Sequence, residues 1–339
     1  MSEKIEPRIE NQKSIEDISG IGKTTADKLK SAGYTSVEMI ARSTKEDLRQ
    51  ALGYKTMNDT VKKIWAAAIN SSNLFMDANT YRELRNKTVK RISTGSKKLD
   101  EMLGGGIETC ALTEISGDEG YGKTQICHEL CVNVQLPVEF GGLGGHAIFF
   151  TTEDTFRPER IVQIGEYAAK KYGLQEFDAI KGITVAMCYT SDHQKFLLDN
   201  CSKIIEERGT RLIIVDSLIS NYRQEYVGRE TLAERQQLIN QYLMKLDSLA
   251  NYYKLAAVCT TQVQAVPDQF HGGMSRPTGG HIVGHGMVTR LQIVAKKKSI
   301  RVMALTKSPM LPEGERTFKI TENGIEDIEE EEKDEEKKE

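Results

Sequence analysis

No stretch of this 339-residue chain approaches eighteen consecutive apolar residues, and its first twenty (MSEKIEPRIENQKSIEDISG) are charged, without an apolar core. The first absence excludes a membrane-spanning helix and the second a secretory leader, so a soluble, cytoplasmic protein without membrane partners is expected. Cysteine is scarce. The six (Cys110, Cys127, Cys131, Cys188, Cys201, Cys259) fall mostly inside apolar segments, which reads as reduced, buried thiols. Cys127 and Cys131 with His128 between them invite a metal reading; an i, i+4 pair facing the core is the plainer one. A large excess of charge of one sign is also missing. The net charge of −3 divides into −8 for Thr321–Glu339, with eleven acidic residues and three lysines, and +5 for the rest. Such a tail is too charged to fold, while the mildly basic body permits a polyanionic partner without requiring one. The length fits two domains, and 39% hydrophobic residues suffice for a globular core.

Against this background one stretch stands out. Gly117–Thr124, G-D-E-G-Y-G-K-T, fits the phosphate-binding pattern G-x-x-x-x-G-K-[ST]. Gly117, Gly120 and Gly122 free the backbone between Asp118, Glu119 and Tyr121, so that successive N–H groups can turn toward a polyphosphate. Lys123 brings a positive charge to the outer phosphates, Thr124 a hydroxyl suited to Mg²⁺, and Gln125 opens the following helix. Cys110–Ser116 reads as a buried strand and Gln125–Val134 as a helix whose N-terminus faces the anion. ATP with Mg²⁺ is the expected cofactor.

The chain divides into an N-terminal helical domain (1–70), a linker (71–90), a large α/β core (91–320) and the acidic tail (321–339). In the first, Ile15, Ile18, Ala26, Leu29, Val37, Ile40 and Leu48 supply apolar positions around the turn Ile18–Lys23. That turn is similar to a helix-hairpin-helix, whose N–H groups grip a DNA phosphate while Lys23 adds charge; such modules also serve as protein contacts. Asn58–Asn70, with Trp65, closes the module. The linker carries Phe75 and Ala78, an apolar pair on an otherwise polar segment. In the core, Ala147–Thr152, Ile183–Met187, Leu212–Val215, Leu255–Thr260, Leu291–Val294 and Val302–Leu305 read as strands. Arg157–Tyr172, Gln194–Arg208 and Glu230–Tyr253 read as helices. Uninterrupted apolar strands imply a sheet covered on both faces and hence mainly parallel.

Three polar residues end such strands. Asp216, closing LIIVD, stands where Mg²⁺ needs a carboxylate. Glu153, after AIFFTT, is placed to act as the base on an attacking water; the alternatives are Asp154 in that role, or Glu153 as a helix cap. Gln262, after LAAVCTT, is suited to sensing a γ-phosphate. Beyond it, Gln264–Gly280 is a long loop without periodicity, and Asn221–Arg235 mixes Arg223, Arg229 and Arg235 with Tyr222 and Tyr226. Arginine interleaved with aromatics suits a nucleic-acid strand, or equally a solvated helix start.

Together these residues give a resemblance. I-S-T-G-S (Ile92–Ser96), G-G-I-E-T (Gly105–Thr109), G-K-T-Q (Gly122–Gln125), V-N-V-Q-L-P (Val132–Pro137), T-F-R-P-E-R-I (Thr155–Ile161), Asp216-Ser217, Glu225–Gln237, G-G-H (Gly279–His281) and K-S-P-x-L-P-E-G-E (Lys307–Glu315) occur in the order found in the archaeal RadA recombinases, which are similar to bacterial RecA. The resemblance runs from about Ser14 to about Ile325. It implies a RecA-like P-loop ATPase core with a small all-α helix-hairpin-helix domain, and a DNA-dependent ATPase that forms filaments on single-stranded DNA and exchanges strands with duplex DNA. It implies Lys123, Glu153 and Gln262 as catalytic residues, and Thr124 and Asp216 as metal contacts. Lys23, Arg223, Arg229, Arg235, Phe270 and Arg276 become DNA contacts, and Phe75 and Ala78 the oligomerisation motif F-x-x-A of a filament or ring. Recombination mediators are further expected partners, and a nucleoid-associated place in the cytoplasm follows. Asp118, Glu119 and Tyr121 replace the family's usual side chains in the phosphate loop, and Thr261 replaces an asparagine. Lys307 stands where several members carry an aspartate, and is expected to cap the neighbour's ATP in place of a potassium ion, or else to be an exposed loop lysine. A paralogue regulating the filament and a ring-forming helicase-like ATPase are the neighbouring readings. The F-x-x-A anchor and N-terminal module speak against the first, and the lack of a primase-binding domain or long helicase linker against the second.

Overall fold

The computed structural model describes residues 14–18, 21–72, 75–265, 275–277 and 280–328. They fall into two compact units, one holding the chain to Thr88 with Asp199–Gly209, the other holding Val89–Leu198 and the chain from Thr210 onward.

The first unit holds α1 (Lys23–Ser31), α2 (Val37–Arg42), α3 (Lys45–Ala51) and α4 (Asp59–Ser71), the last three each starting at a side-chain cap. Ser36, Thr44 and Asn58 each accept a backbone N–H three residues on, and Thr44 and Asp47 cap reciprocally. Every apolar position expected between Ile15 and Leu48 is buried, and the Trp65 indole N–H donates to the Ser43 carbonyl at 3.0 Å. Next comes α5 (Ala78–Thr88), whose first turn is held by Asp77 accepting from the Asn79 and Thr80 amides. None of its residues is buried, and Phe75 just before it is 94% exposed.

The second unit opens with β1 (Arg91–Ile92), α6 (Lys97–Met102), β2 (Ile107–Glu108), β3 (Ala111–Ser116), α7 (Lys123–Asn133), β4 (His146–Thr151), α8 (Pro158–Tyr172), β5 (Ile183–Met187) and α9 (Ser191–Asp199). After α10 (Ser202–Arg208), which belongs to the first unit, come β6 (Thr210–Asp216), α11 (Ser220–Glu225), α12 (Leu232–Tyr253), β7 (Ala256–Thr261), β8 (Val263–Ala265) and β9 (Ser275–Pro277). The unit ends with α13 (Gly280–Gly286), β10 (Thr289–Ala295), β11 (Ile300–Lys307), β12 (Gly314–Thr321) and β13 (Gly324–Asp327). Nine strands form one sheet in the order β13-β12-β11-β10-β3-β7-β6-β4-β5. From β10 to β5 the neighbours run parallel, and β11, β12 and β13 extend the sheet antiparallel. The fold is therefore α/β with a mainly parallel sheet. β3 and β7 are buried along their whole length, as strands covered on both faces must be.

Two expectations need correction. The helix over Gln194–Arg208 is two helices, interrupted at Asn200–Cys201. Buried Leu198, Cys201 and Ile205 keep helical spacing across the break, so periodicity could not reveal it. The acidic tail does not begin at Thr321. That residue ends β12, and Gly324–Asp327 adds β13 with Ile325 and Ile328 buried, apolar anchors that the surrounding charge concealed. Residues 329–339 lie outside the described residues. Among the described residues no helix is long and apolar enough to cross a membrane.

Candidate nucleotide-binding site

β3 delivers the chain to the phosphate loop and α7 leaves it. Gly122 is the N-cap of α7 with φ +101°, and a Cβ there would lie 2.3 Å from Ile320 Cδ1. A Cβ on Gly117 would lie 2.7 Å from the Ile293 carbonyl oxygen, so β10 and β12 close directly on the loop. Asp118 and Glu119 are exposed, whereas Tyr121 packs against the apolar core. α7 itself is buried from Ile126 to Asn133.

The Lys123 ammonium donates to the carbonyls of Gly117 and Asp118, both at 2.8 Å. Burial lowers its pKa, and the carboxylates of Asp216, Glu153 and Asp118 oppose that. Asp216 is 4% exposed. Its Oδ2 accepts from the Thr124 hydroxyl at 2.7 Å and the Thr155 hydroxyl at 2.9 Å, and its Oδ1 from the Thr260 hydroxyl. The ends of β6 and β7, the loop after β4 and the start of α7 thus converge on one carboxylate. The Asp216–Thr124 pair offers only oxygen donors, the chemistry a hard cation such as Mg²⁺ requires. Cys127 and Cys131 are fully buried with thiol pKa values raised by that burial, and His128 packs on Phe149 and Phe156, its pKa lowered to about 4 by burial. That arrangement is a packed core face.

Glu153 follows β4 and is exposed; the N-terminus of α8 receives no side-chain cap, which removes the capping alternative. Gln262 directly follows β7, and its Oε1 accepts from Arg223 Nη1 at 3.2 Å. Gln125 Oε1 accepts from Arg160 Nε at 2.8 Å.

The remaining sequence-predicted residues are spread out. Arg223 and Arg229 are exposed, while Arg235 is half-buried, near the Tyr226 carbonyl at 3.5 Å. Tyr222 is a correction: at 2% exposure and packed edge-on against Tyr242, it belongs to the core and offers no stacking face. Its apolar ring sits on the inward side of α11, a side that composition does not reveal. Arg276 lies in β9 opposite Gln264, whereas Phe270 lies outside the described residues. Lys23 opens α1 and is exposed; Ser19 and Gly20 of its turn lie outside the described residues. Lys307, last in β11, donates to the carbonyls of Gly284 at 2.8 Å and Met287 at 2.7 Å, so its ammonium satisfies the C-terminal end of α13.

Sequence reasoning missed three fastenings of the loop and of the helix that follows it. Arg301 Nε donates to the Tyr121 carbonyl at 2.9 Å. Arg160 reaches the carbonyls of Thr321 at 2.6 Å and Glu322 at 2.7 Å. Glu129, buried in α7, accepts from the Ile325 amide and Asn133 Nδ2, both at 3.2 Å. Only Glu129 gave any signal, as the one carboxylate in α7.

A glycine-rich loop at the end of a central parallel strand, with Lys123 inside it and Asp216 on a neighbouring strand, defines a P-loop nucleotide-binding protein. The Rad51 family model matches residues 85–328, and that of the SAM-like helix-hairpin-helix tandem matches residues 13–58. The DNA repair and recombination protein RadA of Aeropyrum pernix is 43% identical over 317 residues, which cover 94% of this chain and 98% of that protein. The chain belongs to the Rad51 family.

Proposed function

We propose that this chain is an ATP-dependent DNA recombinase that assembles on single-stranded DNA, pairs it with homologous duplex and exchanges strands. The observation that carries the reading is the run of contacts from the phosphate loop through Asp216 and Thr260 to Gln262, whose amide oxygen holds Arg223 of the basic segment. Bound ATP with Mg²⁺ supplies a γ-phosphoryl group whose hydrolysis resets the assembly. With nucleotide bound, Lys123 would exchange its two loop carbonyls for phosphate oxygens, and the α7 N-terminus would add its N–H groups. Thr124 and Asp216 would hold the metal. Glu153, exposed and unencumbered by a capping role, orients the attacking water and takes its proton. Gln262 is the residue through which the nucleotide is felt at Arg223. Arg223, Arg229 and Arg235 meet the DNA backbone, and Phe75 with Ala78 inserts into a neighbouring copy. Duplex DNA and mediator proteins are further partners, in a soluble, nucleoid-associated setting.

Electron microscopy with single-stranded DNA and a non-hydrolysable ATP analogue, alongside strand exchange between labelled oligonucleotides, tests this. Regular helical filaments and exchanged product are expected. Filaments without exchange would replace the reading by that of a regulatory paralogue.

A further inference from the structure

The last residues of β7 point in alternate directions, as strand geometry demands, and each makes a different bond. Thr260 turns to Asp216 on β6. Thr261 turns the other way, and its hydroxyl donates to Glu114 Oε1 at 2.7 Å. Glu114 belongs to β3, where Ser116 pairs with Thr261 and Glu114 with Cys259, so the two side chains are diagonal neighbours on one face. The Glu114 side chain is fully buried, and its other oxygen accepts from Arg290 Nε at 2.5 Å. Arg290, opposite Glu114 on β10, lies with its Nη1 3.1 Å from where a Cβ on Gly284 would sit, against α13. From α13 the Gly284 carbonyl accepts the Lys307 ammonium.

This chain of contacts has a particular position. β7 leads into the long loop before α13, and α13 receives the chain after it. Thr261 sits on the entering stem and Arg290 against the returning helix, with Glu114 between them, three residues before Gly117 of the phosphate loop. A buried carboxylate whose two oxygens are divided between these stems fixes their separation.

We propose that Thr261, Glu114 and Arg290 form a positioning relay that fastens both stems of the long loop to the strand carrying the phosphate loop, so that nucleotide and DNA are felt at each other's sites. None of the three is among the residues assigned above to nucleotide or DNA; they act through Gln262 and α13. The relay rests on the recombinase reading above.

Thr261→Val is nearly isosteric and removes only the hydroxyl, leaving the ion pair whole; Thr261→Ser keeps it. In the full-length protein, ATP hydrolysis is measured with and without single-stranded DNA, and DNA affinity by fluorescence anisotropy with and without an ATP analogue. Expected for Thr261→Val are DNA-free turnover within about twofold of wild type, a roughly tenfold loss of DNA stimulation, and an equal loss of the tightening by the ATP analogue, since linkage is reciprocal for binding. Thr261→Ser restores all three. Arg290→Lys, which keeps the charge but not the forked geometry, moves the same ratio in the same direction and carries the test if Thr261→Val fails to fold. Undiminished DNA stimulation in Thr261→Val would overturn the relay, as would an equal loss of turnover with and without DNA. A wild type indifferent to DNA would instead overturn the recombinase reading, and the relay with it.

Discussion

Glu129 is the one carboxyl on the buried face of α7, and replacing it with glutamine tests how the phosphate-loop helix is held. Its two oxygens are enclosed by Gly95 and Gly324, since a Cβ on either would lie 2.6 Å and 2.1 Å from them. Burial raises its pKa from an ordinary 4.5 to about 7, against the pull of the Ile325 amide, Asn133, Arg160 and Lys171. The sign follows from proton counting. Between pH 4.5 and about 7 the unfolded chain has released this proton while the folded chain retains it, so stability falls as pH rises through that window and levels off above it. The span corresponds to about 3 kcal/mol. Glutamine cannot ionise, which removes that loss; it also presents one acceptor where two N–H groups arrive, which costs about 1 kcal/mol. At pH 8 Glu129→Gln is therefore more stable than wild type by about 2 kcal/mol, a rise of roughly 5 °C in melting temperature for a unit of this size. At pH 4, below the unfolded value of 4.5, it is less stable by about 1 kcal/mol. Thermal melts of both proteins at pH 4, 5, 6, 7 and 8 should cross near pH 5. A difference of constant sign and size from pH 4 to 8 would refute the claim that folding raises the pKa of this carboxyl.

Lys123→Ala abolishes nucleotide binding, whereas Glu153→Gln keeps it and lowers turnover by about two orders of magnitude or more; equilibrium binding and steady-state hydrolysis separate the two, and wild-type turnover in Glu153→Gln would remove the base from Glu153. Phe75→Ala leaves a folded, nucleotide-binding protein that no longer assembles, because a side chain 94% exposed loses about 2–3 kcal/mol of burial only against a neighbour; light scattering showing wild-type assemblies would make the segment a plain tether. Lys307→Asp takes the ammonium from the two carbonyls ending α13 and makes DNA-stimulated hydrolysis depend on potassium, whereas wild type works equally in sodium and potassium at matched ionic strength; a wild type that needs potassium contradicts this.

Much of the centre of the molecule was legible because it is local. The loop Gly117–Thr124, the strand before it and the helix after it are written in adjacent residues, and the apolar runs that became β3, β4, β6 and β7 needed no partner to be recognised. Asp216 was legible for the same reason, as a carboxylate ending such a run. What surrounds it was not. Thr155 and Thr260 reach Asp216 from the ends of two other strands, and hydroxyls in a T-E-D-T or T-T-Q string look like any others. Arg160 and Arg301 act on carbonyls of distant segments, and any residue supplies a carbonyl. Tyr222 failed in the opposite sense. Its neighbours Arg223 and Tyr226 suggested a stacking surface, but one turn of helix decides which side faces inward, and six residues carry too little periodicity to tell. β12 escaped notice because among Gly314–Thr321 only Phe318 is buried.

The position of β3 has a consequence for synthesis on the ribosome. Its two partners in the sheet are β7 and β10, so the strand leading into the phosphate loop has no neighbour until residue 256 has been made, and only one until residue 289. Ile320 and Arg301, which press the loop into shape, emerge later still. A nascent chain therefore carries the complete phosphate-binding string long before any surface exists that could hold it in its working conformation. Helices α1 to α4 pack largely on one another and can form early, although α10 joins their unit only after residue 202, while the second unit must wait for nearly the whole chain. β3 thus stays an unpaired apolar strand from residue 116 until residue 256, and the loop after it lacks its full set of contacts for longer still.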